Sequence, residues 1–215
     1  MSWIDYLQSA NWDQASRIFL TAYVLGCFTA GYYLVRLRAG RDIRDVGSGS
    51  VGARNVSRVL GKSGFFLTVL FDSGKGALAV WAARHLTTDD RLVAMAMLVV
   101  VLGHVWPVQL KFRGGKGMAT SLGALLVYDP RLALTFAAVF LCLAALTHRT
   151  ILPSLFAMAS VPFASVWMGH SHAKVTCLSL LAALVFIAHR KNIIEEFSQW
   201  AARRHVHPKP DQPHL

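Results

Sequence analysis

A glycine-rich basic segment between the first two apolar stretches has the residue types of a phosphate-binding loop. It reads Gly47-Ser48-Gly49-Ser50-Val51-Gly52-Ala53-Arg54-Asn55-Val56-Ser57-Arg58. Glycines let backbone N–H groups converge on phosphate oxygens, and an arginine guanidinium can hold two such oxygens at once. The segment is neither a Walker A loop nor a GxGxxG dinucleotide loop. The alternative is a re-entrant loop whose small residues serve packing.

A second segment combines glycines with cations in the same way. Gly103-His104 precedes the run Lys111-Phe112-Arg113-Gly114-Gly115-Lys116-Gly117, which leads into an apolar stretch at Met118. A helix that begins near Met118 would direct free N–H groups and a positive dipole end towards an anion, with Lys116 beside it. The alternative is a cationic membrane anchor with a glycine hinge.

Two further polar groups lie within or directly after apolar stretches. Asp72 and Lys75 are three residues apart inside one stretch, so either they neutralise each other or Lys75 borders a polar cavity. His189 and Asn192 follow the last stretch one helical turn apart, and we expect them on one helical face. There they could bind a hydroxyl-bearing anion, with the histidine as a base, unless the cluster is only a topology signal.

These segments require a membrane-embedded scaffold to position them. The chain is 54% hydrophobic and 15% charged, whereas about a quarter of the residues in soluble domains are charged. One apolar run, Met118–Val127, is too short to cross about 30 Å of hydrocarbon. The candidate spans are Ile18–Val35, Phe65–Ala83, Leu92–Leu110, Met118–Val127, Leu132–Leu146, Ile151–Met168 and Val175–Ala188.

The charge distribution predicts an orientation in the membrane. With the N-terminus outside, most of the 22 Lys and Arg residues fall on the cytoplasmic side, together with both glycine-rich loops. We expect one membrane domain over residues 1–195 and a flexible cytoplasmic tail over 196–215. Cys27, Cys142 and Cys177 lie in apolar runs without CxxC spacing, which favours buried free thiols over a disulfide or metal site.

The order of these segments resembles the acyl-phosphate-dependent glycerol-3-phosphate acyltransferases, the PlsY family. The resemblance covers about residues 18 to 195. It rests on five patterns: Leu25-Gly26 to Gly31, Asp45 through Lys62, Asp72 with Lys75-Gly76, the GH…GGKG…AT block from Gly103 to Thr120, and HRxNI from His189 to Ile193. It implies an all-α integral membrane fold of about seven transmembrane helices with short amphipathic or re-entrant Gly-rich cytoplasmic loops.

The resemblance also implies an activity and a set of partners. Such an enzyme transfers a fatty acyl group from acyl phosphate to the 1-hydroxyl of glycerol 3-phosphate, giving lysophosphatidate and phosphate for phospholipid biosynthesis. The location is the bacterial inner membrane, and an upstream acyl-phosphate-forming enzyme is a candidate partner. No cofactor, metal or nucleic acid is expected.

Roles for individual residues follow from the same resemblance. The catalytic residues are Ser48, Lys116, His189 and Asn192. The substrate phosphate-binding residues are Ser48, Gly49, Val51, Gly52, Ala53, Arg58, Gly114, Gly115 and Lys116. The supporting residues are Arg54, Asn55, Lys75 and His104.

The chain departs from the family pattern in places that leave other functions open. Ser50 and Arg54 replace Asn and Thr, Leu152 stands where a Ser is usual, and Glu195 precedes the usual position of a glutamate. A paralogue that is non-catalytic or uses another acceptor is one alternative. A transporter of a phosphorylated or lipid anion is the other, because basic loops and intramembrane charges suit it equally well. The histidine pairs at 170/172 and 205/207 are too sparse to form a metal site.

Overall fold

The computed structural model describes residues 11–204, and every long element within them is an α-helix. Of the tail predicted as flexible over 196–215, residues 196–204 belong to a helix, so that part of the prediction was wrong. The rest of the tail, with the pair His205 and His207, lies outside the described residues. The helices are α1 Trp12–Cys27, α2 Ala30–Ala39, α3 Ala53–Leu86, α4 Asp90–Val105, α5 Met118–Tyr128, α6 Pro130–Thr147, α7 Ile151–Trp167, α8 His172–Ala188 and α9 Arg190–Arg204.

Several helices are long and apolar enough to cross a membrane. Four such segments are Trp12–Ala39, Ala53–Leu86, Asp90–Leu110 and Pro130–Thr147, and the bent pair of α8 and α9 could supply a fifth. The apolar helices α5 and α7 are shorter. Large apolar side chains face outward, including Phe163 at 75% and Trp167 at 88% exposure, as expected for contact with lipid. The all-α integral membrane fold is confirmed, and the number of seven spans stays a prediction.

The first span is interrupted, contrary to the continuous helix expected over Ile18–Val35. Helix α1 ends at Cys27, Phe28 and Thr29 are extended, and α2 begins at Ala30. On its last turn, α1 crosses α4 so closely that a Cβ on Gly26 would overlap the Val100 carbonyl oxygen. Lys75 of α3 and Gln109 of the turn after α4 bind the carbonyls freed by this interruption, as described below.

Close helix crossings dominate the packing around α3. A Cβ on Gly76 would overlap the Thr120 carbonyl oxygen of α5, and one on Gly123 would overlap the Ser73 carbonyl oxygen of α3. Small residues let backbones approach in lipid, where helix association depends on van der Waals contact. Helix α5 begins at Met118, as the sequence predicts, and it follows Gly117 with φ +82°.

The cysteines correct one expectation. Cys27 and Cys177 are buried free thiols, but Cys142 is exposed. Cys142 lies on α6, and only 17% of the residues of this helix are buried inside the protein. An apolar run therefore indicates burial in the protein or exposure to lipid, and the prediction of a buried thiol was wrong for Cys142.

Candidate active site

The first glycine-rich loop is folded around the side chain of Asn55. The two N–H donors of Asn55 Nδ2 are shared among three carbonyl oxygens, those of Ile43 at 3.1 Å, Val46 at 2.8 Å and Ser50 at 2.9 Å. Its Oδ1 accepts from the backbone N–H of Ser48 at 3.2 Å. Asn55 is only 3% exposed. One buried amide thus holds most of the loop in place, a larger role than the supporting one expected.

Arg58 joins this loop through the same amide. Its Nη1 donates to Asn55 Oδ1 at 3.3 Å, and a Cβ on Gly47 would overlap that nitrogen. Gly47 and Gly49 have φ of +55° and +68°, the left-handed region that glycine adopts without strain. The guanidinium of Arg58 therefore lies against the loop that exposes Ser48.

The remaining loop residues connect the site to the scaffold. Val51 is fully buried, and a Cβ on Gly31 of α2 would overlap its carbonyl oxygen. Gly52 is the N-cap of α3 and donates its N–H to Ser50 Oγ at 3.3 Å. Ala53 opens the helix, where first-turn N–H groups lack intrahelical partners. The serine that departs from the family pattern thus supports the loop from within.

The second glycine-rich loop turns back onto the end of α4. The N–H groups of Gly114 and Gly115 donate to the carbonyls of Val105 at 3.1 Å and His104 at 3.0 Å. A Cβ on Gly115 would overlap His104 Nε2. Gly114 and Gly115, expected among the phosphate-binding residues, have their N–H groups engaged within the protein. Residue 115 must be a glycine because the His104 ring packs too closely against it for a Cβ to fit.

Lys116 extends from this loop to the last helix. Its Nζ donates a hydrogen bond to Asn192 Oδ1, and its side chain is half-buried. Burial is the main cause that lowers the pKa of Lys116, and the charges of Arg54 and Arg58 act in the same direction. Charged groups of the first glycine-rich loop therefore act on the lysine of the second.

Two residues of α9 that sequence reasoning did not select also act on Lys116. The charge of Glu195 raises the pKa of Lys116, and that of Lys191 lowers it. Lys191 directly precedes Asn192, and Glu195 follows it by three residues. This spacing places both residues on the same turns of helix as Asn192 and could have identified them. Glu195 thus contributes a carboxylate near Lys116 although the family's glutamate pattern is absent.

The last span bends where the sequence predicts a continuous helix. Helix α8 ends at Ala188, His189 caps it, and α9 continues at 58° to it from Arg190. The His189 carbonyl also accepts from the Ile193 N–H at 3.1 Å, so His189 opens the first turn of α9, and one face for His189 and Asn192 stays a prediction. The bend keeps His189 buried at 7% exposure while Asn192 binds Lys116.

His189 is held as a neutral imidazole. Its Nδ1 lies 2.8 Å from the Val185 carbonyl oxygen, to which it must donate. Burial lowers the pKa of His189 to about 4, with the charges of Lys116 and Arg54 contributing, against the opposite effect of the Val185 hydrogen bond. Nε2 is therefore an acceptor at neutral pH.

Asp72, Lys75 and His104 form a buried cluster beneath the second loop. Lys75 Nζ lies 3.2 Å from Asp72 Oδ1, and their side chains are 5% and 4% exposed. The predicted pairing of the two charges is present. Lys75 is only 6% exposed, and its amine also contacts His104 Nδ1 at 2.8 Å.

The region around Leu152 does not supply a free hydroxyl in place of the usual serine. Leu152 packs partly against the core, and Ser154 Oγ donates to the Ile151 carbonyl at 2.8 Å. Glu196 pairs with Arg149 instead of facing Lys116. The departures near α7 and α9 therefore have structural roles of their own.

Comparison with known proteins identifies the family. The glycerol-3-phosphate acyltransferase family profile matches residues 17–199. The chain belongs to this family. Glycerol-3-phosphate acyltransferase 1 of Desulfitobacterium hafniense is 43% identical, over 87% of this chain and 93% of its own length. Glycerol-3-phosphate acyltransferase of Jannaschia sp. is 42% identical, over 81% of this chain and 85% of its own.

Solved structures show the same fold. The crystal structure of PlsY (YgiH), an integral membrane glycerol 3-phosphate acyltransferase, in its glycerol 3-phosphate form superposes with a TM-score of 0.81 at 33% identity. The match covers 86% of this chain and 92% of that one. The resemblance drawn from the ordered segments is thus confirmed, and this glycerol-3-phosphate acyltransferase family member is an integral membrane enzyme of lipid synthesis.

Proposed function

We propose that this protein transfers a fatty acyl group from an acyl phosphate to the 1-hydroxyl of glycerol 3-phosphate, on the cytoplasmic face of the bacterial inner membrane. The observation that carries the proposal is the hydrogen bond from Lys116 in the second loop to Asn192, three residues beyond His189. It places a cation beside a neutral imidazole. Glycerol 3-phosphate offers a matching pair of groups, a phosphate and a hydroxyl.

The site carries enough positive charge for two phosphate groups. The first loop has Arg58 beside Ser48, and the charges of Arg54 and Arg58 reach Lys116. We assign the donor phosphate to the loop from Ser48 to Ala53 and the acceptor phosphate to Lys116. Arginine suits bidentate phosphate contacts, and the first turn of α3 adds helix N–H groups.

The reaction needs positioning more than a strong base. An acyl phosphate is a mixed anhydride, so the acceptor hydroxyl can attack the acyl carbon when the two anions are held close together. The new C–O ester bond forms as the bond from the acyl carbon to the phosphate oxygen breaks. His189, with a pKa of about 4, orients the hydroxyl by accepting its hydrogen bond at Nε2. The proton then goes to the leaving phosphate oxygen, which gains negative charge as its bond to the acyl carbon breaks, so that hydrogen phosphate is released.

A donor assay tests this function directly. Purified protein is supplied with palmitoyl phosphate and glycerol 3-phosphate, and inorganic phosphate release and lysophosphatidate are both measured. We expect phosphate release that depends on the acceptor and equals the lysophosphatidate formed. Palmitoyl-coenzyme A should not replace palmitoyl phosphate. Activity with the thioester alone would overturn the proposed donor.

Two substitutions test whether Lys116 and Arg58 belong to the active site. Lys116→Ala and Arg58→Ala should each lower kcat/KM by about 100-fold, the usual effect of removing one group that stabilises transition-state charge. The matched control is Lys62→Ala, because Lys62 is an exposed cation just beyond Gly61, where a non-helical backbone kinks α3. Full activity in Lys116→Ala or Arg58→Ala would refute the assignment. A panel of phosphorylated polyols in the same assay reports a different acceptor, if this chain uses one.

A further inference from the structure

The interruption of the first span is bound by the buried side chain of Lys75 on α3 and by Gln109, an exposed residue in the turn after α4. Lys75 Nζ donates to the carbonyl oxygens of Gly26 at 2.9 Å and Phe28 at 2.5 Å. Gln109 Nε2 donates to the Cys27 carbonyl between them. Carbonyls at the end of a helix have no intrahelical donors, and leaving them unpaired at membrane depth is costly. Lys75 therefore stabilises the break itself.

The hydrogen bonds donated by the Lys75 ammonium determine which ring nitrogen of His104 carries the hydrogen. An ammonium has three N–H donors, and two of them go to the carbonyls of the break. Asp72 Oδ1 forms an ion pair with Nζ at 3.2 Å and balances its charge. The third N–H goes to His104 Nδ1 at 2.8 Å. His104 is thus the tautomer that carries its hydrogen on Nε2, the nitrogen packed against Gly115.

Lys75 is connected in this way to both phosphate-binding elements. On one side, the break leads into α2, where Gly31 packs against the Val51 carbonyl of the first loop. On the other side, the ring of His104 packs against Gly115, which immediately precedes Lys116. Each step is a close contact that leaves no room for a Cβ. A movement of Lys75 would therefore be transmitted to both loops.

We propose that Lys75 is a positioning residue. Its ammonium binds both the interruption of the first span and His104, and in this way it sets the distance between the first glycine-rich loop and Lys116. The inference rests on the proposed function in one respect only, that two phosphates are held at these elements. The alternative is that Lys75 is present only to neutralise Asp72. The two explanations differ in what they predict when both charges are removed together.

The deciding variant is the charge-balanced pair Asp72→Asn with Lys75→Met. It leaves no unpaired charge in the membrane, so it should fold and purify as a monodisperse protein. It also removes the donors to the Gly26 and Phe28 carbonyls and to His104. We expect kcat/KM to fall about 100-fold, the effect of displacing reacting groups by about 1 Å, with a higher KM for both substrates. Wild-type kinetics in this variant would overturn the proposal.

The matched control removes another ion pair of the same kind. Lys174 Nζ and Asp129 Oδ2 are 2.8 Å apart, with side chains 13% and 6% exposed, and neither is joined to the glycine-rich loops by the contacts described. Asp129→Asn with Lys174→Met should keep wild-type kinetics. An equal loss in this control would mean that any part-buried pair has the same effect, which would also overturn the proposal.

A binding measurement separates this proposal from the proposed donor. Stabilisation against heat by glycerol 3-phosphate, and by inorganic phosphate, is measured without any donor. The Asp72→Asn, Lys75→Met protein should lose this stabilisation, whereas the control pair should keep it. Inactivity of the wild type with acyl phosphate would defeat the proposed function and leave this comparison intact.

A second variant decides the matter if the double variant does not fold. His104→Asn keeps an oxygen acceptor for Lys75 but withdraws the ring from Gly115. We expect it to fold and to lose phosphate-induced stabilisation. Wild-type stabilisation and kcat/KM in His104→Asn would show that the link to the second loop is absent.

Discussion

The ammonium of Lys116 donates a hydrogen bond to the side-chain carbonyl of Asn192, 76 residues further along the chain. This contact joins the second glycine-rich loop to the helix that follows the last span. It also holds Lys116 beside His189, whose pKa the lysine charge lowers. The acceptor side of the proposed site is therefore defined by a single bond between two distant segments.

Changing Asn192 to Asp tests the importance of that bond for the acceptor. The substitution is nearly isosteric, but a carboxylate would neutralise Lys116 and repel the substrate phosphate. We expect the KM for glycerol 3-phosphate to rise about tenfold, since a hydrogen bond to a charged group contributes about 1.5 kcal/mol or more. The control Asn11→Asp changes the N-cap of α1, where Asp is equally suitable, and should leave KM unaltered. An unchanged KM in Asn192→Asp would remove Asn192 from the site.

The pH profile of an Arg54→Thr variant tests whether this departure from the family pattern belongs to the site. His189 must be neutral to accept the substrate hydrogen bond, so kcat/KM should fall as the pH drops towards the His189 pKa of about 4. The Arg54 charge disfavours the imidazolium. Without it the pKa rises, and the acid limb should move to higher pH.

Two features make this shift interpretable. His189 is also subject to the charge of Lys116, which both proteins retain, and the substrate phosphates titrate identically in both assays. Lys62→Thr, an exposed cation further along α3, should leave the acid limb where it is in the wild type. An acid limb that stays in place in Arg54→Thr would mean that Arg54 acts outside the site.

The sequence predicts the parts of this site better than their arrangement. The helix start at Met118 could be predicted because Gly117 precedes an apolar run, and both loops were recognisable from glycine and basic residues. The bend at His189 could not, because no proline or glycine marks it and the run from His172 remains apolar up to the bend. Spacing alone therefore predicted an unbent helix through His189 and Asn192.

The interruption of the first span was hidden for a similar reason. Phe28 and Thr29 continue an apolar pattern that a helix would satisfy equally well. What stabilises the break is the Lys75 amine, 47 residues away from Phe28 along the chain, and such long-range hydrogen bonds leave no local signal. Lys75 and Asp72 were correctly expected to pair, but the further partners of Lys75 depend on tertiary structure.

Replacing Asn55 by Ala should disorder the first loop. The carbonyls of Ile43, Val46 and Ser50 would lose the donor that they share, and the Ser48 N–H would lose its acceptor. Buried polar groups left unpaired cost about 1–3 kcal/mol each, so we expect a lower temperature of thermal unfolding and loss of most activity. Ser63→Ala, which removes only an exposed bond to the Leu60 carbonyl, is the control. Wild-type stability and activity in Asn55→Ala would contradict the organising role of this amide.

Two glycine substitutions separate packing at the site from helix propensity. Gly31→Ala places a Cβ onto the Val51 carbonyl oxygen, so the first glycine-rich loop must move. We expect activity to fall at least tenfold, because the loop loses its position. Gly74→Ala has open space around its Cβ in a helical position and should keep full activity. Kinetic assays of the two proteins after matching for folded fraction give the comparison. Equal activities would show that α2 does not position the loop.

The brevity of α5 has a consequence for how substrates reach the site. Its eleven residues rise only about 16 Å, roughly half the thickness of the hydrocarbon layer. Tyr128 at its end binds Arg84 at the end of α3 and Asp90 at the start of α4, so α5 ends level with two longer helices and its Lys116 end falls short of the opposite side. In the proposed reaction, this recessed position would let a water-soluble acceptor arrive from the aqueous side while an acyl chain stays among the lipid tails. The proposed donor and the product would then exchange sideways with the bilayer.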